Sequence, residues 1–223
     1  MELTGPHQRL LADVLAVGAD YPLALSGSHA VQAHGLVERV SQDVDVATEN
    51  PAAMEDIATT VRAGLEERGW LVQSSETDPL SARLIVSDPA TREECEVNVF
   101  KEVLWRPPVR TEPGLALSLE DAVGTRVRAL ADRGLARDLV DVHAASAHWS
   151  HPELEELGRR HAPETFDLTD VQARLVGADW IDDREFAAYG LDDRAIAELR
   201  RWAQDWADDI AERLLESSPP EEE

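Results

Sequence analysis

The sequence predicts an α+β protein with a mixed α/β half followed by an all-helical half. Two observations carry this. Apolar residues alternate between strand-like and helix-like spacing up to about residue 148, and beyond it every segment has helical spacing. A long final segment carries one continuous apolar stripe, Ile196, Leu199, Trp202, Trp206, Ile210 and Leu214. The expected organisation is a core over 1–148, a helical C-terminal lobe over 149–216, and a disordered acidic tail over 217–223.

The elements follow in order. Residues 7–18 place Leu10, Leu11, Val14 and Leu15 at helical spacing. Tyr21–Ser26 is a short apolar strand ending at Gly27-Ser28, a tight break before a small-residue helix over 29–34. Residues 41–47 alternate polar and apolar as a half-buried strand does. Asn50-Pro51 reads as a helix start, with Asn50 as N-cap, and the helix stops at Gly69. Trp70–Gln73 is a strand, and Arg83–Ser87 with Glu94–Phe100 form a hairpin around Asp88-Pro-Ala-Thr91. Ser118-Leu-Glu-Asp121 is a capping box opening a helix to about Asp132. Arg133-Gly134 breaks that helix, and another covers 135–146. Segments 152–161, 169–177, 183–189 and 193–216 complete the helical half, with Trp202 and Trp206 read as core.

Chemistry gathers at Gly27-Ser28 and Asp43-Val44-Asp45. Residues i and i+2 of a strand share a face, so Asp43 and Asp45 aim two carboxylates at one spot, ~7 Å apart along the chain. Like charges that close repel unless a cation lies between them. Mg²⁺ is typically held by one or two carboxylates together with substrate phosphates. A Gly-Ser turn before a helix offers backbone N–H groups and a hydroxyl to phosphate oxygens. Together these residues describe a metal–triphosphate site; the competing reading is the solvent face of an edge strand. On Glu94–Phe100, Glu96 and Asn98 share the face opposite Cys95, Val97 and Val99, and either could approach the same metal. Arg126 falls at the rim of an apolar helix face, and Asp138 and Asp141 lie one turn apart on the next helix. These three either serve phosphate and proton chemistry or form an inter-helix ion pair.

The chain has 223 residues and a net charge of −24, which disfavours indiscriminate binding to nucleic acid. Residues 101–137 are an exception. Lys101, Arg106, Arg110, Arg126, Arg128, Arg133 and Arg137 face five acids there, so the window is net +2 and the remainder −26. An RNA would have to dock on this island. One cysteine, Cys95, excludes an intrachain disulfide framework and a Cys-rich zinc site. The N-terminus lacks a basic n-region and an apolar h-region, and no apolar run approaches the ~18 residues of a membrane span. A cytoplasmic location is expected.

Four blocks resemble one family in order and spacing: Leu25-Ser-Gly-Ser-His-Ala-Val31, Val40-Ser-Gln-Asp-Val-Asp-Val46, Ser118-Leu-Glu-Asp-Ala-Val-Gly-Thr-Arg126 and Arg133-Gly-Leu-Ala-Arg-Asp-Leu-Val-Asp141. The chain is similar over about 8–210 to the AbiEii/AbiGii toxins, a branch of the DNA-polymerase-β-like nucleotidyltransferases. The resemblance implies a nucleotidyltransferase-like mixed β-sheet flanked by helices, followed by a helical lobe. It implies transfer of a nucleoside monophosphate from an NTP with Mg²⁺ or Mn²⁺, releasing pyrophosphate. It also implies membership of a toxin–antitoxin or phage-defence pair with a cognate antitoxin, and tRNA or another RNA as acceptor. Carried over, Gly27 and Ser28 cradle phosphate, Ser41 lies near the triphosphate, Asp43 and Asp45 bind metal, Arg126 holds phosphate and Asp138 is essential.

Two positions depart from the pattern. The family usually has lysine at Arg126; arginine keeps the charge and adds bidentate reach. The wider superfamily often has a third acid, which helps activate the attacking hydroxyl, where this chain has Asn98. Asparagine cannot act as a base, so that role falls to Glu96 or Asp138. Two other readings are a decayed site that binds a nucleotide or protein, and a small-molecule (antibiotic) nucleotidyltransferase whose cationic substrate the acidic surface would attract.

Overall fold

The computed structural model describes residues 5–38, 41 and 43–217. The tail expected over 217–223 lies, from 218 on, outside the described residues, as do Val40 and Gln42. The chain divides into two compact units, Met1–Ala122 and Val123–Glu223. The division expected at 148/149 corresponds to the connection before the first helix of the all-helical segment, within the second unit.

The first unit is built on a seven-stranded mixed sheet in the order β3-β4-β5-β2-β1-β7-β6. Its strands are β1 (Ala24–Leu25), β2 (Val44–Thr48), β3 (Leu71–Thr77), β4 (Ser81–Ser87), β5 (Glu94–Lys101), β6 (Val109–Arg110) and β7 (Leu115–Ala116). β2 runs parallel to β5 and β1 parallel to β7; the other neighbours are antiparallel. Its helices are α1 (Gly5–Val17), α2 (Gly27–Ala33), α3 (Met54–Glu67) and the start of α4 (Leu119–Asp132).

Strand alternation divides the sheet into two faces. Val44 and Val46 of β2 and Val97 and Val99 of β5 are buried with Leu10, Leu11 and Val14 of α1 and Ile57, Val61 and Leu65 of α3. The opposite face carries a smaller cluster of Ala24, Ala30, Ala47, Leu117 and Ala122, with Phe100 and Leu104 against it. Asp45 and Asn98 alternate onto this second face.

Helix α3 begins at Met54, not at Pro51. Asn50 accepts the amide N–H of Ala52 at 2.9 Å, so its side chain closes a turn ahead of the helix rather than capping it. Gly64 lets α3 approach α1: a Cβ there would lie 2.4 Å from Val17 Cγ1. Gly64→Ala is expected to cost ~1–2 kcal/mol, the overpacking outweighing alanine's helix preference. A thermal melt a few degrees below wild type would show it.

The second unit contains the rest of α4 and then α5 (Ala136–Ala145), α6 (His151–Arg160), α7 (Leu168–Val176), α8 (Asp183–Ala187) and α9 (Asp193–Ser217). Leu154, Val171, Leu175, Phe186, Leu199, Trp206 and Ile210 are buried there. Trp206 is core as the stripe predicts, and its indole N–H donates to the buried Glu155 at 2.9 Å. Arg213 holds both oxygens of Glu155, at 2.8 and 2.5 Å. Trp202 departs from the core reading: it is half-buried and lines a 270 Å³ cavity with Trp149. Among the described residues no helix is long and apolar enough to cross a membrane.

Candidate active site

β1 ends at Leu25, and Gly27 enters α2 with φ +58°, a left-handed conformation that glycine adopts without strain. The amide of Ser26 donates to the backbone oxygen of Asp45 at 2.9 Å, tying this turn to β2. Ser28 is buried in the first turn of α2. The Gly27-Ser28 turn and Asp45 therefore lie at the same end of the sheet.

Asp45 stands in register with Asn98 of β5, and Asn98 in register with Arg83 of β4. The Asn98 carboxamide N–H donates to Asp45 Oδ1 at 3.0 Å. Asn98 thereby fixes the Asp45 rotamer without adding charge, and its own oxygen stays on the same face. Glu96, two residues back on β5, shares the face and pairs with Arg83. Asp43 lies one residue before β2, where its backbone oxygen accepts the Ser41 hydroxyl at 3.0 Å. Glu96 above all, then Glu76 and Asp43, hold Arg83 above the ordinary guanidinium range.

Cys95 reports the same field from the other side of β5. Burial first, then the charges of Asp43, Asp45 and Glu96, push its thiol up to about 12 against a backbone hydrogen bond that lowers it. A folded-state value above the unfolded one contributes stability that is present below pH ~9 and lost as pH rises toward 12. Alkylation at pH 8 is expected to be roughly a thousand-fold slower in the folded protein than in the denatured chain. Timed iodoacetamide labelling read by mass would check it.

Arg126 and Asp138 form a different constellation, in the second unit. Arg126 is 5% exposed and Asp138 fully buried. Arg126 Nε lies 3.2 Å from Asp141 Oδ2, and its Nη1 3.5 Å from Asp138 Oδ1. Arg133 grips Asp138 through two bonds of 2.8 Å, and the Leu135 amide adds a third at 3.3 Å. The inter-helix ion pair, one of the two readings of these residues, is present, and both oxygens of Asp138 are engaged.

The basic island is partly neutralised. Arg126 and Arg133 face the two carboxylates just described. Lys101 donates to the backbone oxygens of Asn50, at 2.6 Å, and Ala52. Arg128 donates to the His161 backbone oxygen at 3.2 Å. Sequence reasoning missed Arg83, because its place beside Asn98 depends on the register of a strand fifteen residues away. Alternation along the Arg83–Ser87 strand could have marked its face.

The family profile described as nucleotidyl transferase AbiEii toxin, type IV toxin–antitoxin system, matches residues 9–221. The chain belongs to this family. It is a nucleotidyltransferase of the toxin class, and the family implies an NTP substrate and a cognate antitoxin. No curated protein matches the sequence significantly. Among solved structures, the nucleotidyltransferase toxin MenT4 (Rv2826c) from Mycobacterium tuberculosis H37Rv is 17% identical with a TM-score of 0.58, covering 93% of this chain and 90% of that one. A putative nucleotidyltransferase from Helicobacter pylori is 16% identical with a TM-score of 0.56, covering 93% and 96%. JHP933, also from Helicobacter pylori, is 19% identical with a TM-score of 0.53, covering 96% and 97%. At these identities the likeness shows the fold: a mixed sheet flanked by helices with a helical C-terminal part, as the AbiEii resemblance implies.

Proposed function

We propose that this AbiEii-family chain transfers a nucleoside monophosphate from an NTP to a hydroxyl of tRNA or another RNA, with Mg²⁺ or Mn²⁺ held by Asp43 and Asp45. The observation that carries the reading is Asp45, fixed by Asn98 and tied through its backbone to the Gly27-Ser28 turn. Its donor set fits a hard cation. Asp43 and Asp45 supply carboxylate oxygens and Asn98 a neutral one, the ligand types that Mg²⁺ and Mn²⁺ take. When bound, such an ion stabilises charge on the attacking and leaving oxygens.

The protein's own residues do the rest. The Gly27 turn and the Ser28 hydroxyl bind the triphosphate, and Ser41 sets the chain carrying Asp43 beside it. The acceptor oxygen attacks the α-phosphorus as the bond to pyrophosphate breaks. Of the two acids named for the hydroxyl proton, Asp138 has both oxygens engaged by arginines and an amide, whereas Glu96 shares the Asp45 face and, among the described residues, pairs with Arg83 through one oxygen, Oε1. Glu96 therefore receives the proton. Arg126 binds phosphate, and Asp138 is a positioning residue that orients Arg126.

The test is label transfer from each α-³²P-NTP in turn to total tRNA, with Mg²⁺ and with the cation removed. Labelled RNA that disappears on chelation is expected. No label on RNA from folded protein with any NTP, or transfer indifferent to chelation, would overturn the proposal.

A further inference from the structure

The segment between β5 and β6 carries an exposed aromatic and two exposed cations. The amide N–H groups of Trp105 and Arg106 each donate at 3.0 Å to a carboxylate oxygen of Asp121, and that of Leu104 donates to Glu49 at 3.0 Å. Three backbone hydrogen bonds to two acids leave the loop little freedom. Yet the Trp105 side chain is 57% exposed. Arg106 and Arg110 are exposed, and among the described residues neither guanidinium is in an ion pair, unlike Arg126 and Arg133 of the same island.

Topology places this strip at the catalytic end of the sheet. β7 is parallel to β1, with Leu25 opposite Ala116, and β6 is antiparallel to β7, with Val109 opposite Ala116. The chain thus enters β6 from the end at which Ser26 meets Asp45. Leu104, just before Trp105, packs with Ala47 and Phe100 on the sheet face that bears Asp45 and Asn98.

We propose that Trp105, Arg106 and Arg110 are the docking strip for the single-stranded part of a nucleic-acid acceptor, a base stacking on Trp105 and phosphates meeting the two arginines. Charge complementarity selects this occupant. The chain is −24, so phosphate is repelled over most of it, while this strip presents two exposed guanidiniums that are in no ion pair among the described residues, with Glu102 and Glu112 the nearby acids in sequence. An indole face with flanking cations matches sequence-tolerant binding of single strands. The inference rests on the RNA-acceptor reading above and adds where the acceptor lies.

The experiment is fluorescence anisotropy with a short fluorescein-labelled single-stranded RNA of mixed sequence, without NTP or metal, across a salt series. Trp105→Ala is expected to weaken binding about tenfold or more, and Trp105→Phe to restore most of it. Arg106→Gln with Arg110→Gln should lower the magnitude of the log–log salt slope by about 1.4, at 0.7 per phosphate contact. Absence of binding by wild type, or an isotherm and slope unmoved by these substitutions, overturns the proposal. So does Trp105-dependent capture of a protein with RNA binding unmoved. Trp105-dependent RNA binding without label transfer would sink only the catalytic reading. Label transfer without Trp105-dependent binding would sink only this one.

Discussion

Asp45→Asn is expected to lower nucleotidyl transfer by at least ~10²–10³-fold while leaving the fold intact. The two effects separate because of what Asp45 touches. Its Oδ1 accepts the Asn98 N–H, and an asparagine oxygen can accept the same bond, so no buried donor is orphaned. Its backbone bond to Ser26 is untouched by the change. What disappears is one of the two charges proposed to face the cation, and relief of repulsion with Asp43 should leave the melting temperature equal or slightly raised. A second reading comes from ligand-linked stability. A ligand at 100 times its dissociation constant stabilises a protein by ~2.7 kcal/mol, so Mg²⁺ with NTP should raise the wild-type melting temperature and move the variant far less. Full transfer by Asp45→Asn would remove Asp45 from the chemistry. A lost melting transition would mean instead that its role is structural.

Much of this site is legible in the sequence because its signals are local. Two carboxylates at i and i+2, a glycine at a turn, and the alternation of Cys95, Val97 and Val99 with Glu96 and Asn98 need only the strand period. The helices are equally local, and α1, α3 and α5 to α9 fall where apolar spacing puts them. Non-local features are not written this way. The apolar run 21–26 contributes only Ala24–Leu25 to the sheet, because strand length depends on what the partner offers. β3 extends past Gln73 into Ser74–Thr77, a polar stretch that reads as strand only because β4 pairs with it along an edge. β6 and β7, two residues each, carry no periodic signal at all. The dependence of Asp45 on Asn98 and of Glu96 on Arg83 is a matter of register, which the sequence does not record. Asn50 shows the reverse failure, a correct local signal for a turn assigned to the wrong hydrogen bond.

Asp138→Asn should be the most destabilising single change, by ~3–5 kcal/mol, or a fall of ~6–20 °C in melting temperature for a chain of this length. Asparagine keeps the shape but turns an N–H₂ toward Arg133 or Arg126, where donors face donors. Arg133, with a side chain 41% exposed, can turn to water, whereas Arg126, at 7%, cannot and loses one of the two carboxylates it faces. The penalty is therefore that of a buried cation short of a partner rather than the net worth of a salt bridge. Removing both ends tests this. Arg126→Met combined with Asp138→Leu and Asp141→Asn should be more stable than Asp138→Asn alone, because the buried cation goes together with both of the carboxylates it faces. Transfer assays on the same triple variant then separate architecture from chemistry. Restored stability without activity would show that the constellation serves the chemistry as well as the architecture. Restored stability with wild-type activity would reduce the whole constellation to a structural pin between α4 and α5.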